Sequence, residues 1–108
     1  MKNIRLGYEM LQDLIGSKWV PEILSEIKQG SNRYSDILNN IPFMSSTELR
    51  RKLRMLQDRN IIIRIEIEHN VTYSLAPFGE DLVHIFQHIE EISEKYVTNK
   101  SSQPTYQI

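Results

Sequence analysis

The stretch SSTELRRKLRML, residues 45–56, places three hydroxyl side chains (Ser45, Ser46 and Thr47) ahead of three guanidinium groups (Arg50, Arg51 and Arg54). Arginine presents a planar fork of N–H donors that meets two acceptors at once, such as phosphate oxygens or the O6 and N7 edge of guanine. Hydroxyls and free backbone N–H groups at a helix start hold anions by hydrogen bonding. The chemistry on offer is recognition of a polyanion.

Other constellations point less far. His84 and His88 stand one helical turn apart, with Glu80 and Glu91 at compatible spacing, a donor set that suits zinc or nickel. Two histidines so spaced more often border a subunit seam or face water. No metal is assigned to them and no cofactor is expected. Trp19 can stack on a ligand, but Ile23 and Ile27 on the same helix face make it a core residue. Met10, Met44 and Met55 can line an adaptable pocket but equally serve as core filler. No Gly-rich phosphate loop, zinc-protease pair or nucleophile elbow occurs, so the chain is not expected to be an enzyme.

The positive segment belongs to a chain of net charge −1. Residues 45–59 carry Arg50, Arg51, Lys52, Arg54 and Arg59 against Glu48 and Asp58, a net of +3. Residues 77–97 carry Glu80, Asp81, Glu90, Glu91 and Glu94 against Lys95, a net of −4. The segregation suggests two faces with different tasks. With 108 residues the chain makes one domain with one modest core. It has no cysteine, which excludes disulfides, thiolate metal sites and thiol nucleophiles. No apolar run suggests a signal peptide or a membrane span, so a cytoplasmic protein with no membrane partner is expected.

Elements that would position these residues follow from spacing. Leu11, Leu14 and Ile15 mark a first helix over 4–15, ended by Gly16. Ser17 is expected to cap a second helix over 18–29, with Trp19, Ile23, Leu24 and Ile27 inward and Gly30 after it. A brief extended segment is expected around Arg33 and Tyr34, then a short helix capped by Ser35 and cut off by Pro42. The apolar connector Ile41-Pro42-Phe43-Met44 is expected to pack inward. Ser45 and Glu48 form a capping box that opens a fourth helix running to about Arg59. Residues 61–68 read as a strand, with Ile63, Ile65 and Ile67 opposed to a wet face of Arg64, Glu66 and Glu68. His69-Asn70 is expected to make the turn into a partner strand carrying Val71, Tyr73 and Leu75 on one face, with Tyr34 and Tyr73 packed around the small sheet. Pro77 opens a last helix with the stripe Leu82, Ile85, Phe86, Ile89, Ile92 and Tyr96.

The expected fold class is mainly α with a small β-hairpin (α+β), the layout of a winged helix-turn-helix. Residues 1–98 form the domain, and 99–108 a polar, disordered tail. With Leu49 as the inward direction and 100° per residue, Leu53 and Leu56 return within about 40° of it. Thr47, Arg51 and Arg54 then point away and Arg50 lies on the flank. A protruding helix of this kind fits the major groove of double-stranded DNA.

Three stretches resemble the HxlR family of bacterial winged-helix transcriptional regulators: LQDLIGSKWVPEIL (11–24), GSNRYSDILNNIPFMSSTELRRKLRMLQDRNIIIR (30–64) and VTYSLAPFGEDL (71–82). The resemblance implies a homodimer joined by its first and last helices, through Leu11, Leu14, Ile85, Phe86, Ile89, Ile92 and Tyr96. It also implies a pseudo-palindromic operator near a promoter, with repression the expected outcome. DNA-facing positions carry over to Ser45, Ser46, Thr47, Arg50, Arg51, Arg54 and, at the wing tip, His69 and Asn70. A small-molecule effector would be of unknown class. Many members sense oxidants through a cysteine ahead of the first helix. Leu6 stands at the matching position here, so cysteine-based sensing is excluded. The wing is also shorter than is common in the family and carries Glu66 and Glu68, so the recognition helix is expected to supply most of the specificity. The rival reading is a protein-interaction module on the same scaffold, without DNA-binding activity.

Overall fold

The computed structural model describes residues 3–97. Five helices and one antiparallel hairpin follow in the order α1 (Ile4–Ile15), α2 (Val20–Lys28), α3 (Tyr34–Asn40), α4 (Ser46–Asp58), β1 (Ile62–Ile67), β2 (Asn70–Leu75) and α5 (Pro77–Tyr96). This is the expected α+β winged-helix architecture. The core gathers Leu24 of α2, Ile37 of α3, Leu49 and Leu56 of α4, Ile61 ahead of β1 and Leu82 of α5, all fully buried. The tail expected over 99–108 lies outside the described residues. Among the described residues no helix is long and apolar enough to cross a membrane.

Helix boundaries follow local chemistry, with two corrections. α1 stops at Gly16 as expected, its N–H bonding the Gln12 carbonyl at 3.1 Å. α2 does not begin at Ser17. Trp19 takes a left-handed conformation (φ 75°), so the helix starts only at Val20 and Ser17 lies too far ahead to cap it. The Ser17 hydroxyl instead accepts the Lys52 ammonium at 2.9 Å. Gly30 (φ 107°) then turns the chain away as a residue with no Cβ can.

The extended segment expected around Arg33 and Tyr34 stops short of Tyr34. Arg33 is extended, but Tyr34 already begins α3, which leaves Ser35 inside the first turn rather than at the cap. All that remains of a third strand is one hydrogen bond, from the Tyr73 N–H to the Asn32 carbonyl at 2.8 Å.

The connector 41–44 packs inward only at its ends. Ile41 and Met44 are buried, whereas Pro42 is exposed and Phe43, at φ 70°, is 96% exposed. A four-residue turn that directs its outer pair into the core must direct its middle pair out. The capping box forms as expected: the Glu48 N–H reaches the Ser45 Oγ at 3.1 Å and the Ser45 N–H reaches the Glu48 Oε1 at 2.9 Å.

The hairpin corrects two further expectations. Its register pairs Ile67 with Asn70, so the two-residue turn is Glu68-His69, both at positive φ (49° and 69°), and Asn70 already belongs to β2. The inward face is the one with Ile62, Tyr73 and Leu75. Ile63, Ile65 and Ile67 occupy the other face and are 47%, 38% and 66% exposed. The reason lies in the anchor: Tyr73 is buried and pairs with Arg64, so the side of β1 that carries Ile62 turns toward the body, while Arg64 and Glu66 farther along it stay exposed.

α5 closes the fold. Gly79 packs so tightly that a Cβ there would lie 2.3 Å from the Ile61 carbonyl oxygen. Leu82 is buried, and Ile85 and Phe86 are half-buried against the core. Ile89, Ile92 and Tyr96 emerge exposed toward the end of the helix.

Candidate nucleic-acid interface

α4 is held by two of its sides. Leu49, Leu53 and Leu56 bury one side in the core. Beside them, Glu48, Lys52 and Arg59 fall within about 40° of one another around the axis. Each of these is tied to the corner formed by α1 and α2. Trp19 Nε1 donates to Glu48 Oε2 at 3.1 Å, Lys52 Nζ donates to Ser17 Oγ, and Arg59 Nη1 meets Asp13 Oδ2 at 2.7 Å. Arg59 also donates to the Met10 carbonyl at 3.3 Å. It is therefore a structural residue, and the outward positive charge of α4 rests on the other arginines.

The remaining side faces solvent. Thr47, Arg50, Arg51 and Arg54 are all exposed. Among the described residues neither Arg51 nor Arg54 has an ion-pair or hydrogen-bond partner, so both guanidinium groups are free to meet a polyanion. Arg50 Nη2 makes one long contact to Ser46 Oγ at 3.4 Å.

Two of the three hydroxyls already have work inside the protomer. Ser45 Oγ caps the helix but keeps its own proton to donate outward. Ser46 Oγ shares a hydrogen bond with the Tyr34 hydroxyl, which also donates to the Ser46 carbonyl at 3.1 Å. Thr47 is exposed with its hydroxyl uncommitted.

Glu48 is the one acidic side chain in the first turn. The Ser45 backbone N–H, and after it the Trp19 indole, hold its carboxyl below the usual range, and desolvation only partly opposes them. Its charge is thus turned toward donors of its own protein. The indole contact spans 29 residues in sequence and had no local signal. The capping box was the only clue that Glu48 mattered.

His69 and Asn70 are exposed at the hairpin tip. Arg64, the only basic residue of the wing, is paired with Glu66 at 3.0 Å. The tip therefore offers little positive charge. His84 and His88 are exposed on α5, and among the described residues no group of three or more metal-ligating side chains occurs.

One residue expected at a subunit contact cannot serve there. Leu14 is 0% exposed and its side chain is spent inside its own protomer. Leu11 is half-buried, and α1 instead presents Ile4, Leu6, Tyr8 and Met10 to solvent.

With this geometry established, residues 14–101 match the family model described as HxlR-like helix-turn-helix. The chain belongs to that family. HxlR-like proteins are DNA-binding transcriptional regulators and not enzymes, which decides against the interaction-module reading. The chain is 27% identical over 111 residues to the HTH-type transcriptional regulator YkvN of Bacillus subtilis, covering 100% of this chain and 94% of the relative. It is 34% identical over 79 residues to YdzF of the same organism, covering 69% and 72%. Among solved structures it is similar to the reduced form of the transcriptional regulator YodB from B. subtilis. That likeness has a TM-score of 0.74 and 25% identity, and covers 82% of this chain and 90% of that one.

Proposed function

We propose that this HxlR-like regulator acts in the cytoplasm as a homodimer that binds a pseudo-palindromic operator and represses an adjacent promoter. The observation that carries the reading is the pair of exposed guanidinium groups of Arg51 and Arg54, without partners among the described residues, on a helix whose other sides are fastened. In the proposed complex, α4 enters the major groove. Arg51 and Arg50 read base edges, Arg54 holds phosphate, and Ser45, Ser46 and Thr47 fix the helix start against the backbone. His69 and Asn70 touch the duplex weakly.

Dimerisation is proposed through α1 and α5, using Leu11, Ile85, Phe86, Ile89, Ile92 and Tyr96. The exposed apolar side chains of both helices support this, because a lone protomer would leave them wet. Residues 3–97 then work as one domain that includes its dimerisation helices. Any signal reaches the protein without thiol chemistry, since the chain has no cysteine.

The test is a gel shift against the protein's own upstream region at physiological salt. Specific retardation is expected. Arg51→Ala should cost about 1–3 kcal/mol and relax base preference, as loss of a bidentate base contact does. Arg54→Ala should weaken binding to all sequences alike and lower the salt slope by about 1. Unchanged titrations for both variants would refute the assignment.

A further inference from the structure

Phe43 is the most exposed large apolar side chain among the described residues, at 96%. The ring is held out rather than frayed, because Ile41 and Met44 on either side of the turn are buried. Its backbone is left-handed, at φ 70°, a conformation that disfavours a bulky residue and favours glycine or asparagine. Inside the protomer the phenyl group therefore buries nothing and fits its backbone poorly.

Its position gives it something to touch. Phe43 lies two residues ahead of Ser45, within about 7 Å along the chain. It stands at the same end of α4 as Ser45, Ser46, Thr47 and Arg50, all of them exposed. If that end enters the major groove, as proposed above and as this inference requires, the ring arrives at the rim of the same groove. The apolar landmark on base edges there is the C5-methyl group of thymine. We infer that Phe43 is a specificity-determining residue whose ring covers a thymine methyl at the edge of each operator half-site. Polar groups of α4 would read donors and acceptors, and Phe43 would read a methyl that offers neither.

The experiment begins with an operator selected by the wild-type protein from a pool of random duplexes. Phe43→Gly and Phe43→Asn both suit the left-handed backbone, so both variants should melt at or above the wild-type temperature. Both should bind the selected operator about ten-fold more weakly, as loss of one covered ring implies. Replacing the edge thymines by uracil, which lacks only the methyl, should weaken the wild type about five-fold and leave the variants unchanged.

Variants that bind as tightly as the wild type would overturn the inference. Variants that lose affinity but keep the uracil sensitivity would overturn it too. A pool from which the wild type enriches no sequence would overturn the operator reading itself, a result distinct from either.

Discussion

A methyl group at Gly79 has nowhere to go. The Ile61 carbonyl oxygen that it would strike accepts the Ala76 N–H at 3.0 Å, so the oxygen cannot retreat without losing that bond. Gly79→Ala is expected to destabilise the fold by about 3 kcal/mol, seen as a lower urea midpoint at unchanged slope. A midpoint equal to the wild type would show that the carbonyl yields. At this scale the sequence was legible where a residue's chemistry is local: Gly16 and Gly30 as helix ends, and Ser45 with Glu48 as a box. It was illegible where a partner is remote. Trp19 was assigned to the core by its helix face, and nothing near it announced the bond to Glu48. Phe43 was assigned inward because apolar residues usually are, and only the turn's geometry sends it out.

Helices and strands fared unevenly for a related reason. Five helices lie close to where periodicity placed them, because each is bounded by a glycine, a proline or a cap. The hairpin was found with its turn one residue late, and Ile63, Ile65 and Ile67 were read on the covered side although they lie on the open one. Alternation reveals that a strand has two sides, not which one the body covers, and here buried Tyr73 on the partner strand decides. The cap of α4 yields a prediction of its own. Ser45→Ala removes the acceptor for the Glu48 N–H and should cost about 1 kcal/mol. The box is also sensitive to acid. Glu48 has a folded pKa below its unfolded one, so its contribution is complete above the unfolded value. It is lost as pH falls through the folded value, below the ordinary carboxylate range. Melting temperatures recorded from neutral pH into that acidic window should therefore fall less steeply for Glu48→Gln than for the wild type. Parallel curves would refute the link.

For the molecule as a whole, the opposed charges of residues 45–59 and 77–97 put a basic helix, proposed to read DNA, and an acidic closing helix on one small body. The acidic exterior of α5 suits a surface kept away from phosphate, and its apolar stripe suits a partner. Ile92 is 45% exposed in the protomer, so Ile92→Glu should leave folding intact while placing a charge at the proposed seam. Sedimentation at micromolar concentration is expected to show dimers for the wild type and monomers for the variant, with a parallel loss of operator binding. A dimeric variant would move the seam elsewhere. The three ties from Glu48, Lys52 and Arg59 carry a thermodynamic consequence for any such encounter. They stop α4 from rolling about its own length, so the azimuth of the arginines is settled at folding. Meeting a duplex then freezes the motion of a few long side chains and leaves the backbone as it was.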